Sequence, residues 1–129
     1  MRFWCEGLGF EAVERYDLDS ETMPGLDHAL EVGERTRVTS QFIRLGALTI
    51  ELLAFESPAA SGRPSSSRGT VGFTHLAFHV DDREAAVERL VGCGGTVVPG
   101  TSQHLGLDVV FVADPDGVRV ELLQWPSGA

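Results

Sequence analysis

One pattern restricts the fold of this chain more than any other: a hairpin-sized segment occurs twice. Residues 42–55 read FIRLGALTIELLAF and residues 111–125 read FVADPDGVRVELLQW. Each is an apolar run, a glycine-containing turn and a second run with an aliphatic-Glu-Leu-Leu signature. Glu51 and Glu121 fall in equivalent places, and Pro58 or Pro126 follows shortly after. A shared tetrapeptide means little, but a match running through strand, turn and strand marks a duplicated supersecondary unit. A second echo precedes each hairpin. Residues 3–10 and 88–95 both read as the last turn of a helix followed by glycine, which accepts the left-handed conformation without a Cβ penalty. The order in each half is therefore helix, strand, strand, strand.

Residues 71–80 (VGFTHLAFHV) read as an apolar strand ahead of the second helix, and Asp82 is placed to cap that helix, with acid in its first turn favouring the dipole. The second half is thus a βαβββ unit. The first half starts only at the last turn of its helix. By the same module spacing, the counterpart of the 71–80 strand would fall roughly ten residues before Met1. The first module is therefore read as lacking its N-terminal strand, either through a truncated start, the favoured reading, or as a natively incomplete module. Residues 57–68 are rich in Pro, Ser, Gly and Ala without periodicity and read as a surface linker. Residues 23–30 look like a short helical insertion before a strand over 36–44, and 101–106 is its shorter loop counterpart. The expectation is one α+β domain over 1–129, with module 1 at 1–56, a linker at 57–70 and module 2 at 71–129.

Composition narrows the function. A length of 129 residues suits one domain that needs no disulfide, and 43% apolar with 22% charged residues is a globular balance. Cys5 and Cys93 suggest no secreted disulfide framework. A net charge of -9, with the ten basic residues scattered as single arginines, argues against nucleic-acid binding and weakly favours a cationic ligand. No apolar stretch is long enough to cross a bilayer and no signal-like segment opens the chain, so a soluble, cytoplasmic protein is expected.

Four phrases, FW-x3-LGF, IELLAFESP, THLAFHVDD and F-x2-DPDG-x3-ELLQ, cover nearly the whole chain and resemble the glyoxalase/bleomycin-resistance/extradiol-dioxygenase (vicinal oxygen chelate) superfamily. The resemblance implies two βαβββ modules forming a curved mixed sheet around a cavity, with metal ligands from the first and last strand of each module. Carried over, these positions are Glu51, His75 and Glu121; the fourth has no match. It also implies a homodimer and a small-molecule substrate, while charge and the short apolar stretches leave no membrane or nucleic-acid partner expected.

For a lone histidine such as His75, a hydrogen-bonded core role is the ordinary expectation. Two glutamates at equivalent points of a repeat shift the balance, because an unpaired carboxylate on a buried strand costs several kcal/mol unless it finds a cation. One His with two carboxylates would take Fe, Mn, Co, Ni or Zn. Among the other histidines, His79 could point along the cavity wall, although a solvent-facing edge position suits the turn beside it. His104 could reach substrate from a loop or sit on an ordinary surface, and His28 lies in the insertion. Asp114 to Gly117 (DPDG) reads as a turn. In the resembling family, a metal stabilises an enediolate-type anion while a carboxylate moves a proton. Glu121 or Glu51 would then be ligand and general base. A glutamate at position 51 favours the lyase/isomerase branch over extradiol dioxygenases. The alternative of another class is a metal-free module that sequesters a cationic drug.

Overall fold

The structure is a computed structural model and describes residues 1–127. Its chain forms two compact units, one of residues 1–8 with 63–127 and one of residues 9–62.

The larger unit is an open sheet backed by one helix. Its strands are β4 (Leu76–His79), β5 (Thr96–Val97), β6 (Gln103–His104), β7 (Asp108–Ala113) and β8 (Arg119–Gln124), in the order β4-β8-β7-β5 with β6 also on β7. All pairings are antiparallel except β4 with β8, which is parallel. Helix α2 (Arg83–Gly92) starts where the sequence indicates, with Asp82 Oδ1 accepting the Ala85 N–H at 3.0 Å. Alternation along β7 and β8 sends Val110, Val112, Val120 and Leu122 to the α2 side, where they are buried with Ala86 and Leu90. Residues 3–7 form a short π-helical turn that also packs on α2 and buries Phe3 and Trp4. The glycines expected to end the two helical segments do so: Gly9 and Gly94 both take positive φ, 87° and 92°.

Asp114 belongs to this core. Its Oδ1 accepts the backbone N–H groups of Asp116 and Val118, closing the DPDG turn, while Oδ2 accepts the buried Trp4 Nε1–H at 3.1 Å.

The smaller unit is an antiparallel meander of β1 (Glu11–Asp19), β2 (Arg37–Leu45) and β3 (Leu48–Ser57), with the expected insertion carrying a single helical turn, α1 (Leu26–Ala29). A bulge between Ala12 and Arg15 kinks β1. The architecture is α+β with two sheets, as the repeat requires.

Two local expectations are corrected. The strand read over 71–80 is limited to Leu76–His79: Val71 and Phe73 are exposed, because nothing in this unit pairs with the backbone ahead of Leu76 or covers its apolar side chains. The loop over 101–106 contains β6, a two-residue strand held on β7. No helix among the described residues is long and apolar enough to cross a membrane.

Candidate metal and substrate site

Strand register builds the site in the larger unit. In β8, Glu121 lies opposite Ala77 of β4 on one side and opposite Phe111 of β7 on the other. Paired residues in a sheet share a face. Glu121, Ala77 and Phe111 therefore project from the side away from α2, and His75, two residues before Ala77, arrives on that side as well. His75 Nε2 stands 3.2 Å from Glu121 Oε2, with the side chains 31% and 21% exposed. Both groups are thus sheltered yet reachable. The imidazole meets the Phe111 ring edge to face, centroids 4.8 Å apart, and its Nδ1 is hydrogen-bonded to Thr74 Oγ1 at 2.8 Å. Phe111 fixes the plane of the imidazole and Thr74 fixes its rotation about that plane.

The proton on the imidazole decides what this pair can do. With the proton on Nδ1, the ring donates to Thr74 and presents the Nε2 lone pair next to a carboxylate oxygen. With the proton on Nε2, the ring donates to Glu121 and the pair satisfies itself. The first arrangement offers one imidazole nitrogen and one carboxylate oxygen, a donor set suited to divalent first-row metals, with the far ring nitrogen held as such ligands commonly are. On donor chemistry and orientation the residues present fit a metal.

Glu51 occupies the equivalent position in the smaller unit, opposite Phe42 of β2, so both halves set a phenylalanine across from the signature glutamate. Its surroundings differ from those expected. β3 is the edge of its sheet, Glu51 is exposed, and Leu48 and Leu53 on the same strand are exposed too. The buried-strand argument therefore does not hold for Glu51. Its Oε1 instead accepts a hydrogen bond from the buried Ser40 hydroxyl at 2.6 Å. Among the described residues, no group of three or more His, Cys, Asp and Glu side chains is gathered as a metal cluster.

Two of the remaining three histidines have local partners. His79 Nδ1 accepts the Trp125 Nε1–H at 2.6 Å, with the rings stacked 5.7 Å apart. His104, on β6, is paired with Asp108 Oδ1 at 2.6 Å and is 71% exposed. His28 is exposed on α1. Sequence reasoning did not assign Phe111 or Thr74. Phe111 was detectable in principle, since it opens the repeated segment.

A sequence profile of the Glyoxalase/Bleomycin resistance protein/Dioxygenase superfamily matches residues 1–122. The chain is 40% identical over 129 residues to a probable lactoylglutathione lyase of Synechocystis sp., covering 98% of this chain and 86% of that protein. It is 31% identical over 137 residues to a 2-epi-5-epi-valiolone epimerase of an Actinomyces species, covering 100% of this chain and 73% of that protein. Among solved structures, a glyoxalase family protein from Bacillus cereus superposes with a TM-score of 0.71 at 20% identity, over 92% of this chain and 80% of the other. The chain belongs to the glyoxalase/bleomycin resistance protein/dioxygenase superfamily.

Proposed function

We propose that this protein is a cytoplasmic, homodimeric, metal-dependent lyase or isomerase of glyoxalase type, moving a proton within a small α-oxo substrate or its thiol adduct. The observation that carries the reading is the sheltered contact between His75 Nε2 and Glu121 Oε2, with Thr74 on the far ring nitrogen. The relatives' names, a probable lactoylglutathione lyase and a 2-epi-5-epi-valiolone epimerase, support a lyase or isomerase.

His75 and Glu121 would hold the divalent ion, with Glu51 as the third ligand carried over from the repeat. The ion would supply Lewis acidity toward the substrate's oxygens. Glu121 takes the proton from the carbon beside the carbonyl and returns it to the neighbouring carbon. The C–H bond broken on the hydroxyl-bearing carbon is replaced on the former carbonyl carbon, while the hydroxyl proton passes to the former carbonyl oxygen, so no co-reactant is consumed. Phe111 forms a dry wall beside the carboxylate, and Thr74 keeps the imidazole from rotating away. Glu51 is the alternative base, and His79 and His104 are candidates for contact with the remote part of the substrate.

One feature favours a second reading. At 3.2 Å the His75–Glu121 pair can satisfy itself without a metal, as a metal-free binding module would require. Thermal melts with Mn, Ni, Zn or Fe(II) separate the two. Under the enzyme reading, metal at a hundredfold excess over its dissociation constant adds about 2.7 kcal/mol of stability. That gain disappears in His75→Ala and Glu121→Gln. The melts are paired with isomerisation of the adduct of glutathione with an α-oxo aldehyde. If wild type and both variants melt alike with every metal and no turnover is seen, the enzyme reading is lost to the binding module.

A further inference from the structure

All ten basic residues of this chain are arginines, set against 19 acids. Most find partners close by. Arg2, Arg15, Arg35 and Arg44 are ion-paired with Glu6, Asp17, Glu21 and Glu11, and Arg83 and Arg89 donate to backbone carbonyls. Arg37, Arg63 and Arg68 are exposed. Arg119 differs from all of these: it is half-buried and has no hydrogen-bond or ion-pair partner among the described residues.

Its position gives that isolation a use. Arg119 precedes Glu121 by two residues on β8, so both side chains leave the sheet on the face opposite the buried Val120 and Leu122. Continuing the parallel register of Leu76 with Val120 and Ala77 with Glu121 sets His75 across from Arg119. The Cα atoms of Arg119 and Glu121 therefore stand one strand repeat, about 6.6 Å, apart on that face. Arg119 does not close on the Glu121 carboxylate, which is engaged with His75. A half-buried arginine with open donors is a fork for a carboxylate.

We propose that Arg119 is the anion anchor of this face, gripping a carboxylate of the substrate beside the carbonyl carbon presented to His75 and Glu121. The selected substrates are α-oxo compounds carrying negative charge close to the reacting carbon. This deepens the reading of the face as a reaction site and rests on it. It also resolves a tension in the sequence, since a chain of net charge -9 repels anions unless a local cation is held for them.

The test uses pyruvate and methyl pyruvate, which share a ketone and differ in charge. Each is titrated into the full chain by calorimetry or ligand-observed NMR, once with chelator and once with Mn(II). A charge-assisted hydrogen bond of about 1.5 to 3 kcal/mol corresponds to at least about tenfold in affinity. The expected result is a preference for pyruvate of at least about tenfold, abolished in Arg119→Ala and Arg119→Gln and partly kept in Arg119→Lys. Arg37→Ala, which removes the same charge from an exposed site, should keep it in full. The glutamine variant retains most of the side-chain stem, so loss of fold in the alanine variant does not blunt the test. Absence of the preference in wild type, or its survival in Arg119→Gln, overturns the anchor. Mn(II) affinity, read separately by electron paramagnetic resonance, distinguishes the failures. An intact preference without Mn(II) binding removes the metal reading alone, and Mn(II) binding without the preference removes the anchor alone.

Discussion

Asp114→Asn tests how the larger unit is locked together. The native carboxylate accepts the Trp4 Nε1–H at 3.1 Å through one oxygen and two backbone N–H groups, at 2.8 and 3.0 Å, through the other. In the variant, Asn Oδ1 can still serve the turn, but Nδ2 then faces the indole N–H, donor against donor. A buried donor left without an acceptor costs about 1 to 3 kcal/mol, and exchanging charged for neutral acceptance at two N–H groups costs about 1 kcal/mol more. Relief of carboxylate desolvation offsets part of this, because Asp114 is only 8% exposed. The net expectation is a loss of about 2 kcal/mol, or about 8 °C in Tm for a domain of this size. Urea denaturation followed by Trp fluorescence and circular dichroism measures it, with Trp4→Phe as the second arm of a double-mutant cycle. Because Trp4→Phe removes the donor, Asp114→Asn should cost at least about 1 kcal/mol less in that background. Additive effects of the two substitutions would refute the argument that this bond joins the N-terminal turn to the DPDG turn.

Gly95→Ala should destabilise the same unit by about 1 to 3 kcal/mol, the range for overpacking. The added Cβ would stand 2.8 Å from both Leu90 O and Phe3 Cε2 and 3.0 Å from Val112 Cγ1, and chemical denaturation reads the result. A homodimer is expected from light scattering at micromolar concentration, because β4 ends its sheet with an outer edge that has no neighbouring strand among the described residues. A strictly monomeric mass would count against it.

Elements set by local chemistry were legible in the sequence. The duplicated hairpins, the Asp82 cap, the glycines after each helical segment and a short helical insertion within 23–30 follow from spacing and turn residues alone. Features that depend on distant neighbours were not. Val71 and Phe73 continue the alternation of a strand, yet pairing stops at Leu76 and leaves them exposed. Glu51 sits among aliphatic residues that suggest burial, but an edge strand exposes what a central one would cover. The ligand of Asp114 lies 110 residues away in sequence, so the DPDG motif shows its turn and conceals its bond to Trp4. For the site, the repeat singled out Glu121 and the resemblance singled out His75, while the parallel β4–β8 register explains why they meet.

The two halves of the repeat are equal in backbone and unequal in chemistry. Both place a phenylalanine opposite the signature glutamate, Phe42 with Glu51 and Phe111 with Glu121, so duplication preserved the position of the carboxylate on the sheet. What changed is the group that meets it. Glu121 faces an imidazole that can give or withhold a proton, on a central strand that half-covers it. Glu51 accepts from a serine hydroxyl, which steadies a carboxylate without offering a second ligand atom of comparable strength, on an edge strand open to solvent. A sheltered carboxylate set beside an imidazole and an aromatic ring is placed to move a proton, whereas a carboxylate on an open edge held by a hydroxyl is not. On this physical ground Glu121 is the stronger candidate for moving the proton, a distinction that the sequence signature alone, identical in both halves, leaves open.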